Sequence, residues 1–186
     1  MAERETLVCQ DVAELSRKSA EQFIELARWS VEASGRFAVA LSGGSTPKHL
    51  YALLASPGYR ERGPWKKIHL FWGGERCVPP NHAESNFRMV QESLLSKIDM
   101  PADQIHRMQG EREPSVAAAE YEKQLKYFFG LENGALPRFD LILLGIGEDG
   151  HTASLFPGSS ALDEAERLVA APYVDKLKAG VRQICG

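Results

Sequence analysis

Apolar residues fall into two kinds of segment that alternate along the chain. Between Asp11 and Ala33, the residues Val12, Leu15, Phe23, Ile24, Leu26, Ala27, Trp29 and Val31 recur at mostly helical intervals with charges between them, which predicts an amphipathic helix. Phe37 to Leu41 is instead a short unbroken apolar run. Gly35 precedes it and Ser42, Gly43 and Gly44 follow, so it predicts a strand buried on both faces. A helix then opens with Pro47 at its first position and runs to about Leu54. Ile68 to Trp72 predicts a second strand, ending at Gly73 and Gly74. Further helices are expected over Glu84 to Lys97 and Ser115 to Phe129, the latter with Pro114 before it and Gly130 after it. Ile105 to Met108 predicts a brief strand. Phe139 to Leu144 is the clearest strand of all, a buried one that runs straight into Gly145, Ile146 and Gly147.

Strands that alternate with helices of about ten residues or more imply βαβ units with right-handed crossovers. The expected fold is therefore α/β, a mostly parallel sheet with helices on both faces, in one domain over residues 1–186. Neither an internal repeat nor a low-complexity tract nor a long linker interrupts it. Ligands of such sheets gather in loops at the carboxyl ends of strands. That directs attention to residues 42–47, 73–86 and 145–158.

Composition narrows the function classes. The 186 residues carry 25 acidic and 22 basic side chains, a net charge of −3, which argues against a dedicated nucleic-acid binder. The N-terminus lacks the basic-then-apolar layout of a signal peptide, and no stretch approaches eighteen consecutive apolar residues. The expectation is a soluble, unexported cytoplasmic protein without membrane association. Cys9, Cys77 and Cys185 are too few and too widely spaced for a disulfide framework or a zinc knuckle.

The three loops differ in chemistry. Ser42, Gly43, Gly44, Ser45 and Thr46, followed by Pro47, join a strand to a helix. Glycines let backbone N–H groups approach an anion, and a helix N-terminus adds partial positive charge. The same residues also fit an ordinary turn with Ser45 or Thr46 as N-cap, and neither a Walker loop nor a dinucleotide fingerprint is present. In the second loop Arg76 suits a phosphate, a carboxylate or a developing oxyanion, or else a surface salt bridge with Glu75 or Glu84. Ser85 and Asn86 stand at the next helix start, Ser85 as a candidate N-cap. The third loop sets Glu148 and Asp149 directly before Gly150 and His151, so carboxylates can orient an imidazole that acts as general base. The other histidines, His49, His69, His82 and His106, are expected to be structural or solvated. Cys77 has no histidine partner by spacing, Ser154 lacks the setting of a nucleophile elbow, and no metal-ligand spacing occurs.

Taken together, Leu41 to Pro47, Phe71 to Pro79 with His82 to Asn86, and Phe139 to Pro157 resemble the 6-phosphogluconolactonase family, relatives of the glucosamine-6-phosphate isomerases and deaminases. The run Gly150, His151, Thr152, Ala153, Ser154, Leu155, Phe156, Pro157 is similar to the lactonases rather than the deaminases. The resemblance implies a Rossmann-like fold and hydrolysis of 6-phospho-D-glucono-1,5-lactone to 6-phosphogluconate in the oxidative pentose phosphate pathway, with no cofactor and no metal. It implies that His151 takes a proton from the attacking water and that Asp149 orients it, with Glu148 beside. It implies that Ser42, Gly43, Gly44, Ser45 and Thr46 hold the 6-phosphate and that Arg76 serves phosphate or oxyanion. Asn86 and Gly147 complete the substrate site. The implied partner is the phosphosugar lactone alone, with the protein a monomer or weak homodimer.

Two departures from the family pattern stand out. Gly74 occupies the place of an aspartate. Beyond Tyr173 to Lys178 the family continues with further strands and helices, whereas here Ala179 to Gly186 follows, without an obvious closing element. The domain is therefore expected to be incomplete at its C-terminus, with Arg182 in the place of a basic phosphate ligand. A catalytically impaired or silent phosphosugar-binding protein and a deaminase-like enzyme are the alternatives.

Overall fold

A computed structural model describes residues 4–132, 134–173 and 183–185. Its elements in chain order are α1 (Val12–Ser34), β1 (Phe37–Leu41), α2 (Ser45–Leu54), the single turn α3 (Pro57–Arg60), β2 (Ile68–Trp72), β3 (Gly74–Arg76), α4 (Asn86–Ser93), β4 (Ile105–His106), α5 (Pro114–Phe129), β5 (Leu141–Ile142) and β6 (Gln183–Cys185). Helix α1 begins where Asp11 accepts the Glu14 N–H at 2.7 Å and Glu14 in turn accepts the Gln10 N–H. It stops at Gly35, whose φ of +80° lets its N–H return to the Val31 carbonyl. The buried stripe is Ser16, Ala20, Phe23, Ile24, Ala27 and Ser30. Trp29, expected on that stripe, is exposed, because two residues beyond Ala27 is some 200° around the helix.

Strands β4, β2, β1 and β5 form one parallel sheet in that order, with Phe37 opposite Ile68 and Leu41 opposite Trp72. Because β1 and β2 are in register, alternation sends Phe37, Val39, Leu41, Ile68, Leu70 and Trp72 to one face. There Phe23 of α1 meets Phe37 edge-on at 5.4 Å. The other face carries Ala38, Ala40, His69 and Phe71. Two alanines beside Phe71 leave room for Phe128 and Phe129 of α5 and for Phe139, all within 6 Å of the Phe71 ring. Each such aromatic side chain contributes roughly 2 kcal/mol by leaving water. Helices thus cover both faces, as expected.

Several boundaries differ from the sequence reading. Helix α2 starts at Ser45, so Pro47 is its third residue; that position needs no N–H partner within the helix, which is why proline fits. The helix expected over 84–97 ends at Ser93 and gives way to the 3₁₀ turn Leu95–Lys97. The strand expected over 105–108 is two residues long. The buried strand expected over 139–144 is the two-residue β5, although Asp140 and Leu143 also donate to the Ala38 and Ala40 carbonyls of β1. Among the described residues β5 pairs on one side only, and Ile142, Leu144 and Ile146 are more than half exposed. The stretch without an apparent closing element holds β6, which pairs antiparallel with β3, Gln183 opposite Arg76. Arg182 lies outside the described residues.

The chain visits β1, β2 and β4 in one direction and then returns to the other side of β1 for β5. Strand order therefore reverses between β1 and β5, and their carboxyl ends open a crevice.

His69 and His106 show what the α5 face does with titratable groups. His69 Nδ1 lies 3.2 Å from His106 Nε2, and Gln124 of α5 lies 3.1 Å from His106 Nδ1. Burial, and then the neighbouring His69, push the His106 imidazole down to about 4, with Asp103 opposing; burial and Arg36 also lower His69. An unfolded imidazole titrates near 6.5, so between pH 6.5 and 4 the unfolded chain binds more protons and stability falls as pH falls. The contribution of His106 is whole above pH 6.5 and lost below about pH 4. Urea midpoints are expected to decline across that window, and His106→Gln is expected to flatten part of the decline.

Candidate active site

The loop after β1 is pinned by Tyr51 of α2. Its buried hydroxyl accepts the Ser42 N–H at 3.1 Å and donates to the Ser42 carbonyl at 2.8 Å. Burial raises the phenol, so it stays a neutral donor. Gly44 is the N-cap of α2 with φ +115°, a conformation open to glycine, and among the described residues no side chain caps the helix. Ser45 and Thr46 are thus not N-caps: they are the first two helical residues. Their N–H groups stand at the positive end of α2.

The second loop is organised around two buried side chains. Glu75 is 3% exposed, and its carboxylate meets the N–H groups of Arg76, Asn86 and Phe87 and the Ser85 hydroxyl instead of forming a surface salt bridge with the Arg76 guanidinium. Arg76 instead donates from Nη1 to Asn86 Oδ1. The Asn86 amide donates to the Gly74 carbonyl at 2.7 Å. Ser85 is the N-cap of α4, accepting the Arg88 N–H at 3.1 Å, as its position predicts. Gly43 brings the first loop against the second: a Cβ there would overlap the Asn86 carboxamide.

In the third loop the chain folds back on itself. Gly147 donates its N–H to the His151 carbonyl at 2.8 Å, and Gly150 donates to the Gly147 carbonyl at 2.9 Å with φ +84°. His151 Nδ1 lies 2.5 Å from Asp149 Oδ1, and the ring stacks on Phe156 at 4.2 Å. A carboxylate at Nδ1 holds the proton on that nitrogen, so Nε2 presents its lone pair. Glu148 is exposed. Ala153 has φ +50°, an unfavourable conformation for a residue with a Cβ, stored two residues from the imidazole.

These loops enclose a cleft of about 630 Å³, a size suited to a small molecule. Ser42 to Thr46, Arg76, Asn86, Gly147 and His151 all line it, with Asp149 behind His151. Sequence reading missed Leu15, Ser16 and Ser19, which make a wall of the cleft from the first turns of α1. Leu15 belongs to the apolar pattern of the first helix, and no motif marks the serines. Among the described residues no group of three or more His, Cys, Asp or Glu is placed to hold a metal ion. Nor is any described helix long and apolar enough to cross a membrane.

Fold and cleft define a class: a Rossmann-like α/β protein with its small-molecule cleft at the topological switch point. The chain belongs to the family of glucosamine-6-phosphate isomerases and 6-phosphogluconolactonases, whose model matches residues 10–184. It is 42% identical over 169 residues to a 6-phosphogluconolactonase of Nostoc sp., covering 90% of this chain and 69% of that one. It is 48% identical over 142 residues to a 6-phosphogluconolactonase of Synechocystis sp., covering 76% of this chain and 58% of the relative. The 6-phosphogluconolactonase structure from Trypanosoma brucei superposes with a TM-score of 0.84 at 32% identity, over 96% of this chain and 74% of that one. A monomeric glucosamine-6-phosphate deaminase shares the fold at 19% identity and a TM-score of 0.74.

Proposed function

We propose that this protein hydrolyses 6-phospho-D-glucono-1,5-lactone to 6-phosphogluconate. The observation that carries the reading is the His151–Asp149 pair, 2.5 Å apart, lining the same cleft as the uncapped start of α2. The phosphate sits at the first N–H groups of α2 and the Ser42–Thr46 loop. His151 Nε2 takes a proton as water adds to the lactone carbonyl carbon, and Asp149 stabilises the imidazolium that forms. Arg76 faces the substrate as partner of phosphate or oxyanion. The tetrahedral intermediate collapses as the ring C–O bond breaks, and the imidazolium returns its proton to the departing oxygen. The new carboxylic acid then ionises. The step is redox neutral and needs no cofactor. The setting is cytoplasmic, and the protein acts as a monomer or weak homodimer.

Gly74 also weighs against the isomerase and deaminase side of the family, because proton transfer at carbon needs a carboxylate where this glycine stands. Offering the chain the phosphorylated lactone, unphosphorylated glucono-1,5-lactone and glucosamine 6-phosphate tests the assignment. Hydrolysis above the spontaneous rate is expected for the first alone. Ammonia release from the third would move the protein to the deaminases, and equal rates with both lactones would remove the phosphate site. Gly74→Asp is expected to raise kcat/KM, since it restores a carboxylate beside the Asn86–Arg76 pair.

A further inference from the structure

Two helix N-termini reach the second and first loops, and only one is open. Residues of α2 begin without a cap, whereas the start of α4 is already occupied by an anion of the protein's own. Glu75 Oε1 accepts the N–H of Arg76 at 2.8 Å and of Asn86 at 2.7 Å. Its Oε2 accepts the Ser85 hydroxyl at 3.0 Å and the Phe87 N–H at 2.8 Å. Four donors converge on one carboxylate that is 3% exposed.

From this we infer that Glu75 is a positioning residue that aims Arg76 into the cleft by holding Asn86. The connection is short: Glu75 precedes Arg76 in the chain and its carboxylate holds the backbone N–H groups of both Arg76 and Asn86, and Asn86 then accepts the Arg76 guanidinium on Oδ1 and donates its amide to the Gly74 carbonyl. Asn86 is also what the Cβ-free Gly43 makes room for, so the same carboxylate sets the spacing of the arginine loop from the phosphate loop. A second consequence concerns selectivity between the two helix ends. Glu75 occupies the first N–H groups of α4, so an anionic group of the substrate is left with α2 and Arg76.

Glutamine at position 75 has the same shape, yet either orientation of its amide sets an NH₂ against donors that now have no acceptor. The inference rests on the proposed lactonase reading for its kinetic readout but not for its spectroscopic one. In NMR of the whole chain, the Arg76 side-chain N–H signals are expected to show restrained rotation in the wild type and averaging in Glu75→Gln. Unchanged signals would overturn the inference whether or not the chain turns over lactone. With turnover, Glu75→Gln is expected to lower kcat/KM roughly tenfold to a hundredfold. In an Arg76→Ala background the same change is expected to cost little, because a residue acting through Arg76 has nothing left to aim. Full additivity of the two losses would make Glu75 merely structural. Should Glu75→Gln fail to fold, Ser85→Ala removes one donor to the carboxylate, together with the α4 N-cap bond, while leaving the carboxylate in place, and it must then show a partial version of the same non-additivity; its absence would refute the idea. A wild-type chain that neither hydrolyses the lactone nor binds 6-phosphogluconate would sink the lactonase reading while leaving the NMR comparison to judge Glu75.

Discussion

His151→Ala is expected to lower kcat for 6-phosphogluconolactone by about 10²–10⁴-fold while changing KM little. Alanine removes the nitrogen that deprotonates water and returns the proton to the ring oxygen, but none of the groups assigned to the phosphate. The fold should tolerate the change: the ring is partly exposed, and its packing partner is Phe156 alone among the described aromatic contacts. Asp149→Asn is the companion test. It keeps the shape but removes the charge that holds the Nδ1 proton and stabilises the imidazolium, so it too should act on kcat rather than KM. Loss of binding rather than rate in His151→Ala would mean that the imidazole serves the phosphate and that the base lies elsewhere.

The second large effect is expected from Gly147→Ala. A Cβ at this position would collide with the His151 ring, at Cε1 and Nδ1, and would come within 2.8 Å of Asp149 Oδ1. Neither neighbour can yield without breaking the 2.5 Å contact between them. Since a misplacement of about 1 Å can cost about 10²-fold, kcat is expected to fall by at least that factor with little loss of melting temperature. Gly145→Ala is the control, because a Cβ there meets nothing within 4 Å. Activity close to wild type in Gly145→Ala beside a crippled Gly147→Ala would locate the effect in the imidazole rather than in general stiffening of the loop. Circular dichroism melts of both variants separate misfolding from misplacement.

Sequence pattern carried the parts of this fold that are local. Phe37–Leu41 and Ile68–Trp72 coincide with the observed strands because an unbroken apolar run is what burial on both faces requires. The helix start at Ser85 was legible from a side chain that bonds within three residues. Legibility failed where a distant partner decides. The apolar run after Asp140 looks like a buried strand, but among the described residues it pairs with β1 alone, and Ile142 and Leu144 are more than half exposed. Glu75 looked like a surface acid. Its burial depends on donors from residues ten to twelve positions away, on a helix start whose approach no periodicity encodes.

In the site, the contrast is similar. The His151–Asp149 pair spans two residues and could be read directly from the loop. Asn86 against Gly43, and Leu15 and Ser19 in the wall, come from parts of the chain that meet only after the sheet has formed. The glycines of the first and third loops are the residues whose necessity the structure explains best. Gly43 and Gly147 owe their place to a neighbour's side chain rather than to their own backbone angles, a reason that is invisible until the neighbour is placed.

The most direct test of the account is the hydrolysis of freshly prepared 6-phosphogluconolactone by the whole chain, followed against the spontaneous rate in the same buffer. Acceleration proportional to protein concentration is expected, with His151→Ala cutting it by about 10²–10⁴-fold. A rate equal to the spontaneous one, or one that His151→Ala leaves intact, would contradict it.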